Sequence, residues 1–127
     1  MVERDLPGGP DEVFEWFVDP SKLTAWWPSE AETEPAVGGA YRMFWSGPEV
    51  TLRGRYLAVE PGERLAFTWS WDHDDVPPRE VAVAFAASAG GTQVTVDHEA
   101  ATDQEGIEYV DGWEHFLGRL DEALRNR

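Results

Sequence analysis

Ile107-Glu-Tyr-Val-Asp-Gly-Trp-Glu-His-Phe-Leu-Gly-Arg-Leu-Asp-Glu-Ala-Leu-Arg-Asn126 is the stretch on which the reading of the whole chain turns. Advancing about 100° per residue from Trp113 puts Phe116, Leu117, Leu120 and Leu124 on one stripe, flanked by Tyr109, Val110 and Ala123. That pattern predicts an amphipathic helix buried along one side. Asp111, Glu114, His115, Glu122 and Arg125 fall on the opposite face. Asp121 precedes Arg125 by four residues, the favourable order for an ion pair on a helix. At 1.5 Å per residue the helix is roughly 30 Å long, enough to cross a small domain. Gly112 lies at the edge of the apolar stripe, where it either permits close packing or leaves room for a ligand.

In the residues before this helix the apolar period changes from 3.6 to 2. Tyr41, Met43 and Trp45 share one strand face; Leu65, Phe67, Trp69 and Trp71 share another. Val50 to Val59 reads as a longer strand with Leu52, Gly54 and Tyr56 on one side. Its apolar parity then slips to Leu57 and Val59, which predicts a bulge near Tyr56. Val81, Val83 and Phe85 begin a further strand. Gly90-Gly91 marks a hairpin turn, and Val94, Val96 and His98 share a face of the last strand. Gly38-Gly39, Gly47-Pro48 and Pro61-Gly62 punctuate the series, and Glu30 to Pro35 reads as a loop or weak edge strand.

At the start, Val2 to Leu6 is a short strand. Pro10, with Asp11 and Glu12 after it, opens a helix whose apolar side is Val13, Phe14 and Phe17. Asp19-Pro20 ends it, and a second short helix is expected over Ser21 to Trp26. The sum is an α+β protein. A curved antiparallel sheet of about six or seven strands wraps the long C-terminal helix, with two short helices after the first strand and one domain over residues 1–127.

Composition narrows the function. The chain carries 42% hydrophobic residues, seven Trp, six Phe and three Tyr, ample for a packed core. It has no cysteine, which removes disulfide and thiol chemistry. A formal charge of −15 opposes nucleic acid and anionic membrane as partners. No apolar run approaches the ~18 residues of a membrane span, and the residues from Met1 to Pro10 do not read as a signal peptide. A cytoplasmic protein is expected, without cofactor or metal.

Among chemically active groups, His98 alone of the three histidines shares parity with the inner face. His115 points away from the helix stripe. His73 sits in the acidic run Asp72-His73-Asp74-Asp75, which lacks the spacing of a metal site. No Ser-His-Asp set, paired carboxylates or phosphate loop is legible, so no catalytic residue is assigned. The aromatic face is the candidate site: Tyr41, Met43, Trp45, Tyr56, Trp69, Trp71, His98, Tyr109, Trp113 and Phe116. Trp27, beside Trp26, reads equally as a lid or as core. These side chains suit an apolar ligand between sheet and helix, with Tyr56, His98 and Tyr109 to orient it. A solid core is the competing reading.

The order of elements resembles the SRPBCC superfamily of START and pollen-allergen-like domains. Within it the chain is most similar to the branch named after the C-terminal domain of the activator of Hsp90 ATPase. The resemblance runs through Val13-Phe14 to Asp19-Pro20; Leu23 with Trp26-Trp27; Val37-Gly38-Gly39 and Tyr41; Gly54 to Leu57, Val59 and Pro61; Glu63-Arg64-Leu65, Phe67, Thr68 and Trp69; Gly91-Thr92, Val94 to Val96 and His98-Glu99; and Gly112-Trp113 with Leu117 and Leu120. It implies a helix-grip fold and a cavity for lipids, polyketides or other hydrophobic molecules. Three functions follow as expectations. The first is non-enzymatic binding of such a molecule. The second is a cyclase or dehydratase using the same pocket. The third is a chaperone or stress-related interaction module, for which an exposed patch would also admit a homodimer.

Overall fold

The computed structural model describes residues 1–127. Its order is β1 (Val2–Leu6), α1 (Pro10–Val18), α2 (Pro20–Leu23), β2 (Glu30–Thr33), β3 (Ala40–Trp45), β4 (Val50–Glu60), β5 (Arg64–Trp71), β6 (Arg79–Ser88), β7 (Gly91–His98) and α3 (Asp103–Arg125). Seven strands form one antiparallel sheet in the order β1-β7-β6-β5-β4-β3-β2. This is the helix-grip arrangement. Sequential antiparallel pairings build β2 to β7, and β1 returns to pair with β7, so the chain's first strand closes the far edge.

Helix α3 starts four residues earlier than the apolar stripe suggests, at Asp103 rather than Ile107. Thr102 caps it, its hydroxyl accepting from the Glu105 N–H at 3.1 Å, and Asp103 and Glu105 face the positive end of the dipole. Trp113, Leu117, Leu120 and Leu124 are buried, and the three leucines are fully so. Each such leucine stabilises the fold by about 1.5–3 kcal/mol relative to an exposed one. Nothing between Asp103 and Gly112 is buried to that degree. The helix is therefore anchored by its C-terminal half, and its N-terminal half overhangs the sheet. Asp121 accepts from Arg4 at 3.0 Å and from Arg125 at 2.7 Å, tying α3 to β1.

Helix α2 is shorter than expected and ends at Leu23. Asp19 caps it through the Ser21 N–H, but the chain then turns, with the Trp26 and Trp27 N–H groups both returning to the Leu23 carbonyl. The turn sends Trp26 into the core, where its indole donates to the Trp16 carbonyl at 2.9 Å. Phe14 and Phe17 of α1 both meet Phe85 edge-on with centroids 5.3 Å apart.

The segment after Pro28-Ser29 is strand rather than loop: Glu30–Thr33 pairs with β3 as the sheet's edge. The bulge in β4 falls between Tyr56 and Ala58. Val59 packs against the core beyond it, but Leu57 is the extra residue and is 43% exposed. A bulged residue has no partner across the ladder and is free to turn outward. No helix is long and apolar enough to cross a membrane.

Candidate functional site

The overhang of α3 creates a hollow against the sheet. A cavity of ≈ 320 Å³ lies there, floored by Trp45 of β3, Val50 of β4 and Trp69 and Trp71 of β5. Pro48 and Trp27 close its sides, and Glu108, Tyr109, Gly112, Trp113 and Phe116 of α3 form its roof. The roof residues follow the i, i+4, i+8 line from Glu108 through Gly112 to Phe116 and the adjacent line from Tyr109 to Trp113, so one helix face supplies them all. A methyl group added to Gly112 would meet nothing within 4 Å. Of the two uses for this glycine, the structure has the open one.

The tryptophans hold one another in place. Trp27 lies 5.9 Å from Trp69 in a stacked pair and 5.2 Å from Trp113. Trp69 meets Trp71 at 90° with centroids 5.6 Å apart, and Trp71 leans on Trp45 at 5.4 Å. Such pairs are worth about 0.5–1.5 kcal/mol each beyond burial. The indole N–H groups of Trp45 and Trp69 are buried and have no acceptor.

Seven of the residues expected to face a ligand line this cavity: Trp27, Trp45, Trp69, Trp71, Tyr109, Trp113 and Phe116. Tyr41, Met43 and Tyr56 do not. They point to the same side of the sheet but toward its other end, where Phe17, Leu65 and Phe67 pack against them and leave a void of only ≈ 10 Å³. The Tyr41 hydroxyl donates to the Thr68 carbonyl, and burial pushes both tyrosine hydroxyls upward in pKa. Gly54 makes this possible. Tyr41 pairs with it across the ladder, and the Tyr41 ring occupies the space where a side chain would begin.

His98 also lies outside the cavity, behind its wall. Its Nδ1 accepts the Trp113 indole N–H at 3.0 Å, and its ring stacks on Tyr109 with centroids 3.5 Å apart and planes 8° from parallel. Accepting at Nδ1 puts the proton of the neutral ring on Nε2, which is buried without a partner. Burial lowers the His98 pKa to about 4, opposed by the Glu105 carboxylate and aided by the Arg79 guanidinium. The Tyr109 hydroxyl donates to Glu105 at 3.0 Å, and its pKa rises to about 12 through burial and that carboxylate. Glu105 in turn is gripped by Arg79 through two bonds of 2.6 and 3.2 Å, which holds its pKa at about 2. The row Arg79–Glu105–Tyr109–His98–Trp113 thus fastens the overhanging half of α3 to β6 and β7.

Pro48, Val50 and Glu108 are cavity residues that the sequence pattern did not single out. Glu108 carried a legible signal, since it lies one turn before Gly112 on the helix. It reads as solvated surface until the overhang is known.

No curated protein matches the chain. Solved structures do. A Mesorhizobium loti protein, 23% identical, superposes with a TM-score of 0.85 over 98% of this chain and 95% of its own. A Chromobacterium violaceum protein, 27% identical, has a TM-score of 0.80 over 97% of this chain and 94% of its own. A protein of the dynemicin biosynthetic locus, 28% identical, has a TM-score of 0.86 over 98% of this chain but only 46% of its own. The family model of Activator of Hsp90 ATPase homolog 1-like proteins matches residues 8–125, so the chain belongs to that family.

Proposed function

We propose that this protein binds a hydrophobic, ring-bearing small molecule in the cavity beneath α3 and does not transform it. One observation carries the reading: five tryptophans converge and still leave ≈ 320 Å³ unfilled, opposite a glycine whose missing side chain would occupy it. The rings turn apolar surface toward a hollow that opens at the protein surface, the kind of surface a ligand covers. Burying about 250 Å² of apolar ligand surface contributes about 6 kcal/mol. That figure alone corresponds to a Kd of about 40 μM, and association costs weaken it, so a Kd no tighter than tens of micromolar is expected for a ligand that makes no polar contact.

The chemistry around the cavity favours binding over catalysis. His98, the inward histidine, stays neutral at physiological pH and its Nδ1 is already engaged by Trp113. Tyr109 holds its proton well above neutrality. Neither is poised to exchange a proton with a ligand near pH 7. The similarity to a protein of the dynemicin biosynthetic locus agrees with a small organic ligand.

Native mass spectrometry of the protein purified from its own host tests the proposal. A stoichiometric low-mass compound, released on denaturation and rich in rings, is the expected result. A clean unliganded mass, with no thermal shift across a library of aromatic compounds, would return the cavity to the status of a packing defect.

A further inference from the structure

The cavity's one charged lining residue is an acid. Glu108 borders it among seven aromatic rings, with no lysine or arginine on the lining. Eight of the ten cationic side chains in the protein are held in ion pairs elsewhere, and none of them is with Glu108. Its only hydrogen bond is a long one, 3.4 Å from the Gln104 amide. An unneutralised carboxylate at the rim of an aromatic hollow invites a positive charge.

The ring geometry suits the same partner. Trp69 and Trp71 stand perpendicular, Trp45 leans on Trp71, and Trp27 stacks on Trp69, so the rings make a concave corner. The π face of an indole is negative, and a cation within about 6 Å of its centroid is attracted to it. A bulky, weakly hydrated ammonium gives up little water on entering such a corner. The formal charge of −15 adds a long-range field that concentrates cations near the surface.

Resting on the binding reading above, we propose that the ligand is an organic cation. Its quaternary or alkylated ammonium group lies against the Trp45, Trp69 and Trp71 rings, within reach of Glu108.

The test compares phenyltrimethylammonium with its uncharged isostere tert-butylbenzene, titrated at about 0.15 M salt, where the Debye length is about 8 Å. The readout is the set of indole N–H resonances. The five cavity tryptophans report binding, and Trp16, on α1 and off the cavity lining, is the internal control. The proposal expects the cation to bind about fivefold or more tighter than the isostere. Glu108→Gln should weaken the cation about threefold and leave the isostere unchanged. Glu114→Gln removes the same charge from an exposed site off the cavity and should change neither. If the isostere binds as well as the cation through the same indoles, the cation inference falls while the cavity reading stands. Equal loss in both variants means diffuse attraction to an acidic protein and also overturns it, as does a cation affinity that Glu108→Gln leaves unchanged. If neither compound moves the cavity indoles, both readings fall together.

Discussion

Trp113 donates its indole N–H to Nδ1 of His98 across 3.0 Å, so a cavity-wall ring is oriented by a histidine that the cavity itself never touches. The bond requires a neutral imidazole. Protonation would place a second N–H where the indole N–H now points.

Acid should therefore loosen this protein in a defined window. Unfolded, His98 titrates near 6.5; folded, burial holds it to about 4. Below about 6.5 the unfolded chain takes up this proton first, so stability falls as pH drops from about 6.5 to about 4 and is unaffected by this group above that range. The expected loss is on the order of 2 kcal/mol, discounted for the partial solvent exposure of the ring. Glu105 adds a separate loss of the same sign, its native value of about 2 lying below the usual 4.5. Urea unfolding of wild type and His98→Phe at several pH values separates the two. The variant should lose the upper slope and keep the lower one.

Two glycines predict opposite outcomes for the same substitution. At Gly54 a Cβ would run into the Thr68 carbonyl oxygen and the Tyr41 ring. Gly54→Ala should cost about 3 kcal/mol or more, since backbone and a packed ring must both shift. Gly112 is helical with open space before it, so Gly112→Ala should stabilise by about 1 kcal/mol. Thermal or denaturant unfolding of the pair gives the sign directly.

Trp26 is fully buried and donates to the Trp16 carbonyl at 2.9 Å. Trp26→Phe keeps an aromatic ring but strands that carbonyl, and should cost about 1–3 kcal/mol. Denaturant unfolding measures the loss, and Trp16→Phe, which keeps the backbone acceptor, should leave this bond in place.

The Arg79–Glu105 pair is the outer fastening of the overhang. Arg79→Met should leave Leu117 to Leu124 protected while amide exchange speeds up between Asp103 and Gly112, where no residue is buried. Uniform protection along α3 would show that the pair fastens nothing.

The fold was largely legible because its signals were periodic and redundant. The period-2 runs, the glycine turns and the stripe from Trp113 to Leu124 each pointed to the same sheet-and-helix arrangement. The start of α3 was also written in the sequence, as Thr102 followed three residues later by Glu105, but an apolar stripe does not reach that far. The site was half legible. Parity tells which side of the sheet Tyr41, Tyr56 and Trp71 face. It does not tell how far along the sheet the helix lifts away. That depends on where bulky side chains stop α3 from descending, which is a property of packing in three dimensions. For the same reason His98 shares the inner parity of Val94 and Val96 yet ends behind Trp113.

Calorimetric titration of naphthalene into wild type and Gly112→Leu decides whether the space under α3 is a binding site. The leucine projects into the hollow from a position where no atom opposes it. Saturable one-to-one binding to wild type is expected, with its loss in a Gly112→Leu protein that remains folded by circular dichroism. Equal binding to both proteins, or none to either, would mean that the space under α3 is not a binding site.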